Sequence, residues 1–152
     1  MIIDYLCRYP EHLQTVGKWL FNEWGHYYEG YSEKDWVSGL ETRMDFKRIP
    51  FIFVAIVRDK AVATASIVKE DMSTHKYLTP WLASVYVDAN YRRKKIGTRI
   101  VLKIEEEARD MGIRKLYLFT PDMKKFYENI GWTVFEEPQY RGERVFLMVK
   151  DL

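Results

Sequence analysis

Several protein classes need features that this chain has little of. It holds one cysteine, Cys7, so no internal disulfide can form, which fits a reducing compartment. Cys7 lies in an apolar N-terminal run, where a buried structural thiol is the commoner reading than a reactive one. His12, His26 and His75 lack paired spacing, and one cysteine adds nothing to them, so no metal set is expected. No apolar run approaches the roughly 20 residues of a spanning helix. Met1 leads directly into IIDYLCRY without a basic n-region or cleavage site, so a cytoplasmic protein away from the membrane is expected. No repeat, low-complexity tract or Gly/Ser/Pro-rich linker divides the chain, which predicts one domain over residues 1–152. A net charge of +2 offers no broad basic face for nucleic acid.

Aromatic residues are plentiful. They make up 16% of the chain, with eleven tyrosines and five tryptophans, enough to build a core or a pocket from large flat side chains. Ile2 to Arg8 reads as a first strand, and Tyr9-Pro10 breaks it. A helix follows from about Glu11, with Leu13, Val16, Leu20 and Trp24 near helical spacing and Gly25 at its end. After the aromatic loop HYYEGYS, Ser32 and Asp35 resemble a capping box and open a second helix, with Trp36, Val37, Leu40 and Met44 on its buried side. Phe51 to Val57 and Ala61 to Val68 read as an antiparallel hairpin, and residues 70–80 as a loop.

The stretch Trp81 to Thr98, WLASVYVDANYRRKKIGT, organises the rest. An apolar strand, Trp81 to Val87, ends in a turn at Asp88-Ala89-Asn90. Four basic residues follow, Arg92 to Lys95, and an amphipathic helix then runs from about Gly97 to Met111. A strand feeding a basic loop into a helix start is an anion site in outline, because free N–H groups and the positive end of the helix dipole converge there. Downstream come a strand at Lys115 to Phe119, a short helix from an N-cap at Thr120-Pro121 to about Asn129, and strands at Trp132 to Glu136 and Arg144 to Lys150. The last of these, through Val145 to Val149, is available either to pair with a second copy in a homodimer or to complete the sheet. The order β-α-α-β-β-β-α-β-α-β-β predicts an α/β (α+β) fold, a single mixed, mostly antiparallel sheet flanked by helices.

Two segments carry a resemblance. Val85-Tyr86-Val87-Asp88 with Arg92-Arg93-Lys94-Lys95-Ile96-Gly97 resembles the strand end and phosphate loop of the GNAT superfamily of N-acetyltransferases. Phe126-Tyr127-Glu128-Asn129-Ile130-Gly131-Trp132 resembles that family's F-Y-x-x-x-G-F/W segment. A glycine loop alone is weak evidence, but two motifs about 30 residues apart in the expected strand and helix contexts are not. Lys95 departs from the pattern, standing where the family usually has its first glycine. It must keep φ negative or adopt a left-handed conformation at a cost.

The resemblance implies acetyl-CoA as cosubstrate and direct acetyl transfer to an amine of a small molecule or peptide. It implies that the pantetheine arm borrows backbone hydrogen bonds from Val85, Tyr86 and Val87, as an added strand would. The N–H groups of Arg92, Arg93, Lys94, Lys95, Ile96, Gly97 and Thr98 are then the expected pyrophosphate cradle. A strand-end N–H, Val85, is the implied oxyanion donor, and Tyr127 the implied general acid. The base stays open among Glu70, Asp71 and Glu23, with His26 a weaker candidate; Ser84, mid-strand, is either a packed serine or one that orients a water. Loops 25–32 and 136–143 are the expected substrate wall, supplying Tyr27, Tyr28, Glu29, Tyr31, Glu136, Glu137 and Tyr140. Aromatic faces with carboxylates suit a cationic amine. The alternative is a catalytically silent acyl-CoA-binding module of the same fold, kept open by Lys95.

Overall fold

The computed structural model describes all 152 residues. Seven strands form one sheet in the order β1-β2-β3-β4-β5-β9-β6. In chain order these are β1 (Ile2–Tyr5), β2 (Phe51–Val57), β3 (Lys60–Val68), β4 (Trp81–Val87), β5 (Lys115–Thr120), β6 (Thr133–Glu136) and β9 (Phe146–Asp151); β7 (Gln139–Tyr140) and β8 (Glu143–Arg144) make a separate small hairpin. The helices are α1 (Leu13–Trp24), α2 (Glu33–Leu40), α3 (Ile96–Asp110) and α4 (Lys124–Glu128). Every pairing in the large sheet is antiparallel except β4 with β5.

The run FIFVAIV explains why β2 sits inside the molecule. Its alternating side chains leave by opposite faces. Ile52, Val54 and Ile56 pack with Val16, Leu20 and Leu40 of α1 and α2. Phe51, Phe53 and Ala55 pack with Ile100, Val101, Ile104 and Ala108 of α3. A strand covered on both sides needs no polar alternation. α2 starts where Ser32 and Asp35 predict: the Ser32 side chain accepts from the Asp35 N–H, and the Asp35 carboxylate accepts from the Ser32 N–H.

Some boundaries differ from the sequence reading. The first strand stops at Tyr5, because Leu6–Arg8 turns into a 3₁₀ helix that buries Leu6 under α1 and α2. Thr120 does not cap α4 directly. It stays in β5, its hydroxyl accepts from the Met123 N–H at 3.0 Å, and the helix begins only at Lys124. The last strand is divided at Val145, whose N–H is drawn to Pro138 O, so Arg144 belongs to the small hairpin. β9 completes the sheet between β5 and β6, which leaves β1 and β6 as its edges.

Two local features place the residues of the site. The first is the end of α4. Gly131 takes φ +99°, the Trp132 N–H reaches back to Tyr127 O at 3.0 Å, and the Gly131 N–H reaches Glu128 O at 3.2 Å. This is a Schellman stop, which favours glycine at the left-handed position. It sends Trp132 into the core, where its indole N–H donates to buried Glu105 at 3.1 Å. Lys150 Nζ approaches the other Glu105 oxygen at 2.5 Å and also donates to Ile130 O at 2.7 Å. One buried ion pair therefore ties α3, β9 and the turn that follows Tyr127. The second feature is the basic loop. Arg93 and Lys95 both adopt left-handed backbone, with φ +63° and +61°, and Lys95 is the residue before the first turn of α3. Lysine here takes the conformation that glycine would take freely.

Two outcomes are expected. Lys150→Met leaves the Glu105 carboxylate buried without its cation and should cost about 3–5 kcal/mol in urea unfolding. Adding Glu105→Gln should recover part of that loss. Lys95→Gly removes a left-handed side-chain clash of about 1–2 kcal/mol and adds about 0.5–1 kcal/mol of unfolded-state entropy. The melting temperature should therefore rise by about 1–3 °C. A fall would show that the lysine side chain itself stabilises the loop.

Candidate active site

β4 and β5 are in register only at Trp81 and Tyr117. Beyond that pair they diverge, and a cleft of about 1300 Å³ opens between them. Leu82 to Val87 line one side, and Leu118 to Met123 with Phe126 and Tyr127 line the other. The divergence has a visible cause in β4. Against β3, Thr64 pairs with Tyr86 and Ser66 with Ala83, so two β4 residues, Ser84 and Val85, face the single residue Ala65. Ser84 takes φ +54°. A bulge of this kind bends the strand, sharpens its twist and re-aims the backbone beside it. Val85, the expected oxyanion donor, is half of the bulge and lies in the cleft wall.

At one end of the cleft lies the start of α3. Its first intrahelical bond runs from the Arg99 N–H to Lys95 O, and no side chain caps the end. The N–H groups of Ile96, Gly97 and Thr98 therefore have no partner in the helix. The two left-handed residues just before them turn the loop into a concave nest of the kind that receives anions. A Cβ on Gly97 would lie 3.4 Å from Val87 and 3.6 Å from Phe126, ordinary contact, so packing does not demand glycine here. Gly97 borders the cleft, and the missing side chain leaves its backbone reachable. The residues present thus fit a phosphate-bearing group laid across the helix start. Arg93, Lys95, Ile96, Gly97 and Thr98 line the cleft. Arg92 does too, but its Nε donates to Val87 O at 2.9 Å and its guanidinium lies over the Tyr86 ring, so it also staples the strand end. The Lys94 ammonium rests over Tyr91, and Lys94 is not part of the lining.

Tyr127 borders the middle of the cleft. It is buried and packs edge-on to Phe126 and Trp132. Burial, with Asp122 and Glu105 contributing, pushes its hydroxyl well above the ordinary phenol range. It therefore carries its proton at every physiological pH and serves as a donor.

The other end of the cleft is built by the loop after α1, by the turn after α2 and by the β7–β8 hairpin. Of the three carboxylates considered as a base, Glu70 is exposed and outside the cleft, while Glu23 and Asp71 line it. Asp71 is the perturbed one: burial raises its pKa to about 6, against the pull of Arg43 and Arg141. Ser84 and His26 also line the cleft. The two predicted wall loops clasp one another. The Tyr27 hydroxyl donates to Glu143 at 2.6 Å, and Arg141 donates to the Tyr28 hydroxyl. Tyr31 borders the cleft as well, whereas Glu29, Glu136 and Glu137 do not. Glu136 pairs with His75 at 3.1 Å and Glu137 with Arg144 at 2.6 Å. The Tyr140 hydroxyl accepts from the Ser73 N–H in an adjoining small pocket.

Two residues of this end are absent from the sequence reading. Arg43 donates to the Ser84 hydroxyl at 3.3 Å, and burial lowers its pKa while Asp71 opposes that. Arg141 spreads its guanidinium over Tyr28 at 4.5 Å and Tyr140 at 4.8 Å. Arg43 left one signal. It stands three residues after Leu40, where the periodicity of α2 calls for an apolar side chain. Arg141 left none beyond its place before Gly142 in a turn.

The model of the acetyltransferase (GNAT) family matches residues 7–132. A type Ii aminoglycoside 6′-acetyltransferase shares the fold at TM-score 0.77 and 20% identity, covering 99% of this chain and 97% of its own. An aminoglycoside 6′-N-acetyltransferase complexed with coenzyme A gives 0.77 and 18%, with the same coverage. The aminoglycoside 6′-N-acetyltransferase from Enterococcus faecium gives 0.75 and 20%, again over 99% of this chain and 97% of that one. At these identities the likeness is one of fold. No protein of curated function matches the chain. The family model spans most of the sequence, and both signature segments border one cleft: the chain belongs to the GNAT family of acetyltransferases.

Proposed function

We propose that the protein transfers an acetyl group from acetyl-CoA directly to the primary amine of a small molecule or peptide. One observation carries the reading: a nest at a helix start, a bulged strand, a protonated tyrosine and a carboxylate near neutral pKa all border one cleft. A module that only sensed acyl-CoA would need the first two. The acceptor-side cluster of Arg43, Asp71 and Arg141 favours an enzyme.

Acetyl-CoA supplies an activated acyl carbon on a leaving thiolate. The chain's residues do the rest. The N–H groups of Ile96, Gly97 and Thr98, with the nest at Arg93 to Lys95, hold the pyrophosphate. The free side of β4 at Val85 to Val87 takes the pantetheine arm as an added strand. The Val85 N–H faces the carbonyl oxygen and stabilises the charge that develops on it. An acceptor amine resembling lysine has a reference pKa of about 10.4 and arrives as an ammonium. Asp71, directly or through water, takes its proton. The nitrogen then bonds to the acyl carbon, gives up its second proton to water, and the carbon–sulfur bond breaks. Tyr127 hydrogen-bonds the departing sulfur. A phenol raised above its usual value holds its proton more tightly than a thiol with reference pKa of about 8.5. Its help is therefore mainly that hydrogen bond, and the proton that ends on sulfur is made good from solvent. The products are the N-acetyl amine, CoA thiol and one proton.

Tyr127→Phe should lower kcat by about 10²-fold and leave the KM for acetyl-CoA unchanged; equal turnover would remove the tyrosine from this role. Asp71 must be ionised to act, so kcat/KM should rise with pH through an apparent pKa of about 6. Asp71→Asn should abolish that limb and cost about 10²–10⁴-fold in rate. A limb that survives in Asp71→Asn would move the base elsewhere, with Glu23 next to be tested.

A further inference from the structure

Two arginines, Arg43 and Arg141, stand at the acceptor end of the cleft among carboxylates that also line it. Of these carboxylates, Asp71 alone is beside the two arginines with its ionisation perturbed by burial. Asp35 closes the capping box of α2, and Glu143 is taken by the Tyr27 hydroxyl. Glu23 and Asp122 are solvent-exposed. Against them stand two guanidiniums, Arg43 and Arg141, both close enough to Asp71 to pull on its ionisation. None of the protein's ion pairs includes Arg43, Asp71 or Arg141.

Arg43 is the telling member. It is partly buried, on the turn after α2, and lines the cleft. A guanidinium carries five N–H donors, and the only hydrogen bond its side chain makes within the chain is to Ser84 Oγ. No carboxylate lies within ion-pair distance of the guanidinium, and Asp71 offsets its charge only from farther off. Ser84 belongs to the bulge that also contains Val85. The unused donors therefore lie beside the strand where the acyl carbon would be held. Arg141 reaches the same cluster from the opposite wall, held over Tyr28 and bonded to its hydroxyl.

Building on the acetyltransferase reading, we infer that the acceptor is a compact amine that also bears a carboxylate, which Arg43 and Arg141 grip while Asp71 meets the ammonium. A planar fork of donors matches a carboxylate bidentately. Two arginines and one aspartate complement a zwitterion. A polyamine or an aminoglycoside would instead bring a second ammonium to the position that the two guanidiniums face.

The test uses matched pairs that differ only in that group: β-alanine and its amide, 4-aminobutyrate and its amide, lysine and lysinamide, with spermidine as the polycation. CoA thiol release is followed at pH 8.5, well above the pKa of about 6 that Asp71 has beside its arginines. At least one acid should show a kcat/KM tenfold or more above its amide and above spermidine. Arg43→Gln and Arg141→Gln should keep acetyl-CoA affinity and bring the acid-to-amide ratio within about twofold. The ratio cancels any effect on Asp71 that both substrates share. Equal rates for every pair, preference for spermidine, or a preference that survives both substitutions would overturn the inference. If no amine releases thiol, the acetyltransferase reading fails first. Quenching of Trp24 and Trp36, which line the cleft, then reads the anion site on its own. Saturable quenching by an acid and not by its amide, lost in Arg43→Gln, would uphold the carboxylate grip. Its absence would sink it.

Discussion

β4 and β5 share one residue pair in register and then part, and everything else at the site depends on that parting. Parallel neighbours would ordinarily continue to pair, since each unmatched backbone group wants a partner. Here the bulge at Ser84-Val85 turns β4 away, while α4 sets Phe126 and Tyr127 into the gap from the β5 side. Buried Trp81 closes the lower end of the opening, its indole N–H bonded to Leu78 O and its ring against Tyr117 and Phe119. The opening stays wedge-shaped because each wall is anchored independently. β4 is tied to β3. The turn beyond Tyr127 is held to α3 and β9 through Glu105 and Lys150. Packed interiors have few alternatives of similar energy, so the wedge is a fixed shape rather than a fluctuation.

The electrostatics of the two ends differ in kind. The helix start offers partial charges that belong to the backbone and cannot titrate. The acceptor end offers full charges on side chains, and it holds them at a cost. A carboxyl whose pKa rises to about 6 on folding opposes folding at neutral pH by roughly 3 kcal/mol, less whatever solvent reaching through the cleft relieves. The sign follows from the direction of the rise. Below the unfolded value both states are protonated and nothing is lost; the penalty grows as pH climbs from about 4 to about 6 and then stays constant. The same penalty makes Asp71 a better proton acceptor than an ordinary surface aspartate, and an ammonium placed beside it would relieve part of the strain. Reactivity and instability are one quantity here.

Much of this was legible in the sequence, and the reasons differ by residue. The apolar run of β2, the capping box of α2 and the strand–loop–helix around Arg92 to Gly97 are local patterns, fixed by periodicity and cap chemistry. The clustering of Tyr127 with Val85 followed from the family resemblance. Other features depend on contacts between distant segments. The bulge at Ser84 shows only against Ala65 of the neighbouring strand. The choice of Asp71 over Glu70 turns on which of two adjacent carboxylates faces inward, and that is settled by the loop 70–80 folding over the sheet end. Arg43 and Arg141 lie almost a hundred residues apart and both act on Asp71 only because the turn after α2 and the β7–β8 hairpin border the same cleft. Lys95 left two conformations open. The structure adopts the left-handed one, because the turn at Ala89–Tyr91 and the first turn of α3 fix both ends of the loop.

The parted strands have a further consequence for the protein's life in solution. A sheet normally has two borders, and evolution blunts them with charge, proline or short strands. This sheet has a third border in its middle, the flank of β4 that faces the cleft, where no residue beyond Trp81 pairs with β5. A free strand flank of that kind is a template for any extended peptide, including a segment of another unfolded chain. The molecule cannot blunt it without destroying the place where a pantetheine arm would lie. Its guard must therefore be an occupant. The protein should be most prone to self-association when that occupant is scarce, so its solubility would follow the supply of the ligand rather than the composition of its outer surface.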